Sequence, residues 1–114
     1  MSSTSIKMRA ERAASIRALA DALKREINAE LIAESRRSLD GIQVVLLCFE
    51  KFFLRNGSYA SLTVMLTESE TMQTADIVGS GGGEGLFNIS WGANSDFAEM
   101  AAGLLRQRGF YEEY

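Results

Sequence analysis

The segment Gly79-Ser80-Gly81-Gly82-Gly83-Glu84-Gly85 holds five of the chain's ten glycines and is the densest concentration of potential chemistry in the sequence. Glycine alone reaches positive φ without steric cost, and it loses the most backbone entropy on ordering. Such a cluster marks either a tight excursion between strands or a place where something approaches the backbone closely. In the second case the amides of Gly81, Gly82 and Gly83 form a nest for a small anion. Ser80, Glu84 and Trp91 are then its polar or aromatic neighbours, with Arg55 as counter-charge. The established phosphate motifs do not fit. A P-loop ends in Gly-Lys-Ser/Thr, whereas Leu86 and Phe87 follow Gly85 here. The dinucleotide spacing G-x-G-x-x-G fails from Gly79, where Glu84 takes the last position, and from Gly81, where Leu86 does.

Other chemistries are excluded by residue type. The chain has no histidine and one cysteine. A Cys–His or Ser–His couple is therefore impossible, and so are histidine-containing and thiolate-cluster zinc sites. Cys48 stands among Leu46, Leu47 and Phe49, which predicts a buried thiol rather than a reactive one. A single cysteine makes no internal disulfide, in keeping with a reducing compartment. Glu50, Asp76 and Glu84 are the carboxylates nearest apolar segments, but nothing in their spacing selects an acid–base pair of the glycosidase kind. Solvated or ion-paired roles explain them. No catalytic residue, metal or cofactor is expected, and the balance leans against an enzyme.

Charge is unevenly divided. Residues 1–39 hold eight Lys/Arg and five Asp/Glu, and residues 40–114 hold four and ten, giving the chain its net −3. An acidic C-terminal two-thirds argues against a broad nucleic-acid footprint. The basic excess near the start is spread along a helix and interrupted by acids, as on a solvated face. Met1 to Ala10 lacks the apolar core of a secretory signal. The longest uncharged apolar run, Ile42 to Phe49, is far below the ~20 residues a membrane helix needs. A cytoplasmic protein without membrane or nucleic-acid partners is expected.

These residues need a scaffold. At 114 residues the chain fits one domain, with 1–10 and 110–114 as mobile or edge segments. Ser5 to Ala10 alternates weakly and reads as a short edge strand or a frayed helix start. From Glu11 to about Ile27, Ile16, Leu19, Leu23 and Ile27 recur at helical spacing among many alanines. Ala29 to Leu39 shows no clean period and is left between helix and strand. Asp40-Gly41 signals a turn. Ile42 to Arg55 is the strongest strand. It is apolar on both faces in its first half, so it is either central and covered on both sides or meets a partner chain. Asn56-Gly57 suits a hairpin turn. Ala60 to Leu66 alternates as a half-buried strand. Thr71 to Val78 is a further strand nearer an edge, and Leu86 to Trp91 a short one. A last helix, capped by Asn94 or Ser95, carries Phe97, Met100, Ala101, Leu104 and Leu105 on one stripe and stops at Gly109.

The predicted fold is α+β: a single antiparallel sheet of four to five strands, with an N-terminal and a C-terminal amphipathic helix packed on it. The segments Phe49-Glu50-Lys51-Phe52-Phe53-Leu54-Arg55, Ala60-Ser61-Leu62-Thr63-Val64, Gly79 to Phe87 and Trp91-Gly92-Ala93, in that order, resemble a small bacterial domain-of-unknown-function family, the one numbered six-zero-five-four. The resemblance covers about Gly41 to Leu105. It implies a compact α+β domain with no assigned activity, so it transfers no catalytic residue. Tyrosines are frequent in that family where this chain has Phe52 and Phe53, and any role of those hydroxyls is missing here.

The reading that follows is a non-enzymatic domain that self-associates as a homodimer, using aromatic residues such as Phe52, Phe53 or Tyr59. It also binds a small ligand or protein partner near the glycine loop. The alternative is an enzyme or sensor for an anionic metabolite. It uses the Gly79–Gly85 amides as its nest, Arg55 as counter-charge and Glu84 or Asp76 as base.

Overall fold

Asp40 (φ 49°) and Gly41 (φ 81°) both adopt the left-handed backbone that a two-residue hairpin turn demands. They join β2 (Glu30–Leu39) to β3 (Ile42–Phe53) and so resolve the ambiguous segment as a strand. Its missing alternation has a physical cause. The register shifts between Leu31 and Ala33, and a bulge there carries the residues on either side of it to opposite parity.

The computed structural model describes residues 2–11, 14–54, 57–81 and 91–113, with the side chains of Ser2 and of residues 91–95 outside that description. The remaining elements are β1 (Ser2–Ala10), α1 (Ile16–Glu26), β4 (Ser58–Glu68), β5 (Gln73–Gly81), α2 (Trp91–Arg106) and β6 (Tyr111–Glu112). One antiparallel sheet of six strands runs in the order β2-β3-β4-β5-β1-β6. Among the described residues the fold is thus α+β, with two helices and six strands rather than four or five.

The extra strands come from the ends of the described chain. β1 is neither a helix start nor an edge: it pairs with β5 on one side and β6 on the other. The Tyr111–Tyr114 tail contributes β6, and Glu113 N donates to Lys7 O at 2.8 Å. β5, expected near an edge, lies between β4 and β1.

One face of the sheet meets the helices. Ile6 and Met8 of β1, Val45, Leu47 and Phe49 of β3, Leu62, Val64 and Leu66 of β4, and Ala75 and Ile77 of β5 are buried there. They pack with Ile16, Leu19 and Leu23 of α1 and Phe97, Ala101 and Leu105 of α2. Phe53 joins this core, its ring edge-on to Phe97 at 5.7 Å. β3 is therefore apolar on both faces without being covered on both: the helices take one side only.

Both helix boundaries are set by specific polar contacts. α1 begins at Ile16 rather than Glu11, because Ser15 caps it, its Oγ accepting from Ala18 N at 3.2 Å. The Glu68 carboxylate accepts from Ile16 N at 3.1 Å. The buried Gln73 amide donates to Glu68 Oε1 and to Ala14 O, both at 2.7 Å, which fixes the entry of the helix to the end of β4. α2 begins at Trp91, so Asn94 and Ser95 lie inside it rather than capping it. Its far end closes on Gly109 (φ 98°), where Gly109 N bonds to Arg106 O and Phe110 N to Leu105 O, the Schellman pattern. Residues 86–90 of the strand expected at Leu86 to Trp91, and Asn56 of the hairpin turn, lie outside the described residues.

Candidate functional site

The glycine run does not begin as a loop. Gly79, Ser80 and Gly81 continue β5, paired with Leu62, Ser61 and Ala60 of β4 on one side and with Thr4, Ser3 and Ser2 of β1 on the other. Neither Gly79 nor Gly81 has positive φ. Their backbone belongs to a ladder bounded on both sides. The Ser80 hydroxyl meets Ser61 Oγ at 2.7 Å on the face away from the helices. Trp91 opens α2. Gly82, Gly83, Glu84 and Arg55 lie outside the described residues. Of the seven residues expected at the site, the structure thus places Ser80 and Gly81 in the sheet and Trp91 at a helix start.

The carboxylates are also dispersed. Asp76 stands opposite Lys7 of β1 and Met65 of β4. Glu50 stands opposite Glu30 and Ser61. A cavity of about 230 Å³ lined by Arg17, Arg36, Arg37, Ser38 and Gln43 lies beside the start of α1. It is at the other end of β4 from Ser80, since Gln43 pairs with Glu68 while Ser80 pairs with Ser61. Arg36 is already engaged there, its Nε donating to Glu34 Oε2 at 2.9 Å. Lys24 Nζ also donates to Glu34, at 3.1 Å. These two cations hold the Glu34 carboxyl below its ordinary range. Among the described residues no three His, Cys, Asp or Glu gather as a metal-binding group. No helix among them is long and apolar enough to cross a membrane.

The feature that sequence reasoning saw only in part is the face without helices. Ile42, Val44, Leu46 and Cys48 of β3 alternate with the buried row and point the other way. Cys48 is half-buried rather than enclosed, with Sγ 3.6 Å from Thr63 Oγ1 on the neighbouring strand. Phe52 and Tyr59 are directly opposite one another. Their rings stack edge-on at 5.1 Å, with 43% and 58% of each residue exposed. Met65 and Val78 extend the apolar surface across β4 and β5. The signal in the sequence was the two-sided apolar character of β3. What it lacked was the side on which the helices lie.

The edges of the sheet form a second region. β6 closes one edge with two residues. The other edge is β2, whose ten residues are all exposed.

Comparison with known proteins adds a family and no chemistry. A family model described as "Family of unknown function (DUF6054)" matches residues 1–109. The match takes in the first forty residues as well as the segments that carried the resemblance. No curated protein and no solved structure matches. The chain belongs to the DUF6054 family.

Proposed function

We propose that this DUF6054 member is a non-enzymatic α+β domain that associates with a second copy of itself through the helix-free face of its sheet. The observation that carries the reading is the apolar surface on that face: Val44, Leu46 and Met65 toward one end and the Phe52–Tyr59 pair at the other, with no helix over them among the described residues. Two antiparallel sheets pack face to face at about 10 Å through interleaved side chains. The small hydroxyls Ser61, Thr63 and Ser80, which lie between those two groups, suit such interleaving. A two-fold contact uses the same patch on both subunits, which suits a chain whose exposed apolar groups are concentrated on one surface. The aromatic pair Phe52–Tyr59, near the turn between β3 and β4, supplies the anchors.

The non-enzymatic part of the reading is supported by residue types: a chain without histidine, and a half-buried thiol whose nearest side-chain partner is a threonine hydroxyl. Light scattering coupled to gel filtration tests the association. The wild type is expected to self-associate at tens of micromolar, and Phe52→Ser/Tyr59→Ser, still folded, to run as a smaller species. A wild type that stays monomeric at high micromolar concentration sinks the reading.

A further inference from the structure

We infer that β2 is a self-complementary edge, which pairs antiparallel with β2 of a second copy and continues the sheet across a two-fold axis. The inference rests on the self-association reading and adds a contact separate from the helix-free face.

Three observations point to it. First, the two edges of the sheet are treated differently. The β6 edge is two residues long, and very short edge strands are a recurrent protection against unwanted pairing. β2 is ten residues long and exposed throughout, and nothing pairs its outer side among the described residues. It has no proline or lysine, and its one bulge lies near its beginning, between Leu31 and Ala33. From Ala33 to Leu39 the strand is regular, with its outer backbone groups available to another strand.

Second, the charges of β2 run in opposite order along its length. Its acids, Glu30 and Glu34, come first, and its bases, Arg36 and Arg37, come after. A parallel copy would set like against like. An antiparallel copy sets acid against base twice over. With the axis at Ser35, Glu34 falls opposite the partner's Arg36, and Arg37 extends toward the partner's Glu30.

Third, each monomer carries an electrostatic mismatch that such pairing relieves. Glu30 is directly opposite Glu50 on β3, and like charges in that position are destabilising. Arg37 has no ion pair or side-chain hydrogen bond among the described residues, whereas Arg36 is bound to Glu34 and Asp21. By register Arg37 stands opposite Val44, on the helix-free side of the sheet, and so do Glu30 and Glu50. Antiparallel pairing brings the unpaired cation of each copy toward the two adjacent carboxylates of the other. Main-chain hydrogen bonds give such strand additions their affinity, and the side chains set their register.

Charge swapping in the full chain tests this. The association constant is measured by sedimentation equilibrium at low salt for wild type, Arg37→Glu, and Glu30→Arg/Arg37→Glu, together with hydrogen exchange of the β2 amides at two protein concentrations. Arg37→Glu is expected to weaken association by about tenfold, since it sets a third carboxylate against two. The double variant, which exchanges the two charges that β2 carries on the helix-free side, is expected to restore it. The amides from Ala33 to Leu39 are expected to exchange more slowly at the higher concentration. Failure of the double variant to restore binding, or β2 exchange that ignores concentration, overturns the edge contact. If association is unchanged by Arg37→Glu and is lost on Phe52→Ser/Tyr59→Ser, the edge falls and the face contact stands. A monomer at every concentration removes both.

Discussion

Along β4, Leu62, Val64 and Leu66 are buried under the helices, while Ser61, Thr63 and Met65, each one residue away, look out from the other side of the same sheet. The two faces share a backbone and a hydrogen-bond ladder and differ only in what lies over them. Burying a leucine or phenylalanine contributes roughly 1.5–3 kcal/mol, so the helix side carries the fold. The other side is apolar enough to be costly in water but contributes little to the monomer. A strand such as β3, apolar on both sides, therefore divides its residues between those that hold the fold and those left at the surface.

The sharpest way to break this comparison is to truncate one residue on each side. Phe49→Ala, on the helix side, should lose about 3–5 kcal/mol in urea unfolding, because the surrounding core can only partly collapse into the space. Met65→Thr, on the other side, should stay within about 0.5 kcal/mol in the monomer while weakening self-association. Comparable losses for the two would mean that the faces are not distinct. Gln73→Ala probes the polar anchor between the sheet and α1. It leaves Ala14 O without its side-chain donor and frees Glu68, and should cost about 1–3 kcal/mol. Ser15→Ala removes only the cap of α1, for about 1 kcal/mol, read as a small drop in melting temperature.

The smallest effect expected is one of pH. Lys24 and Arg36 depress the Glu34 pKa in the folded state. The resulting stability is fully present above the ordinary carboxylate pKa, and it is lost as pH falls through the depressed folded value. Glu34→Gln should therefore melt slightly below wild type at neutral pH, with the gap closing as the solution is acidified beneath the usual carboxylate range. A gap that widens on acidification would contradict the assigned partners.

Much of the scaffold was readable from pattern alone, because burial on one face forces alternation in strands and a 3.6-residue stripe in helices. Ala60 to Leu66, the Ile16–Leu19–Leu23 stripe and the Phe97–Ala101–Leu105 stripe all follow that rule. β2 was not readable, because its bulge breaks the period and no burial selects its residues. β1 was underrated because Ile6, Met8 and Ala10 form a short row, and its central place depends on pairing with residues some seventy positions away. The Ser15 cap was masked by the helix-favouring alanines before it. Gly79 to Gly81 suggest a loop because glycine is usually unfavourable within strands. Here Gly81 is buried in a ladder bounded on both sides, and nothing local in the sequence marks that.

The position of β1 constrains the order in which the molecule can be made. β2, β3, β4 and β5 form a meander whose neighbours in space are neighbours in sequence, so it can zip up as it leaves the ribosome. β1 has neither of its two neighbouring strands during that time. Its slot is created only when β5 has been translated, and its far side waits for Tyr111 and Glu112. Until then the methionine and isoleucine of β1 remain unsheltered, so that its shelter depends on chain made some seventy residues later.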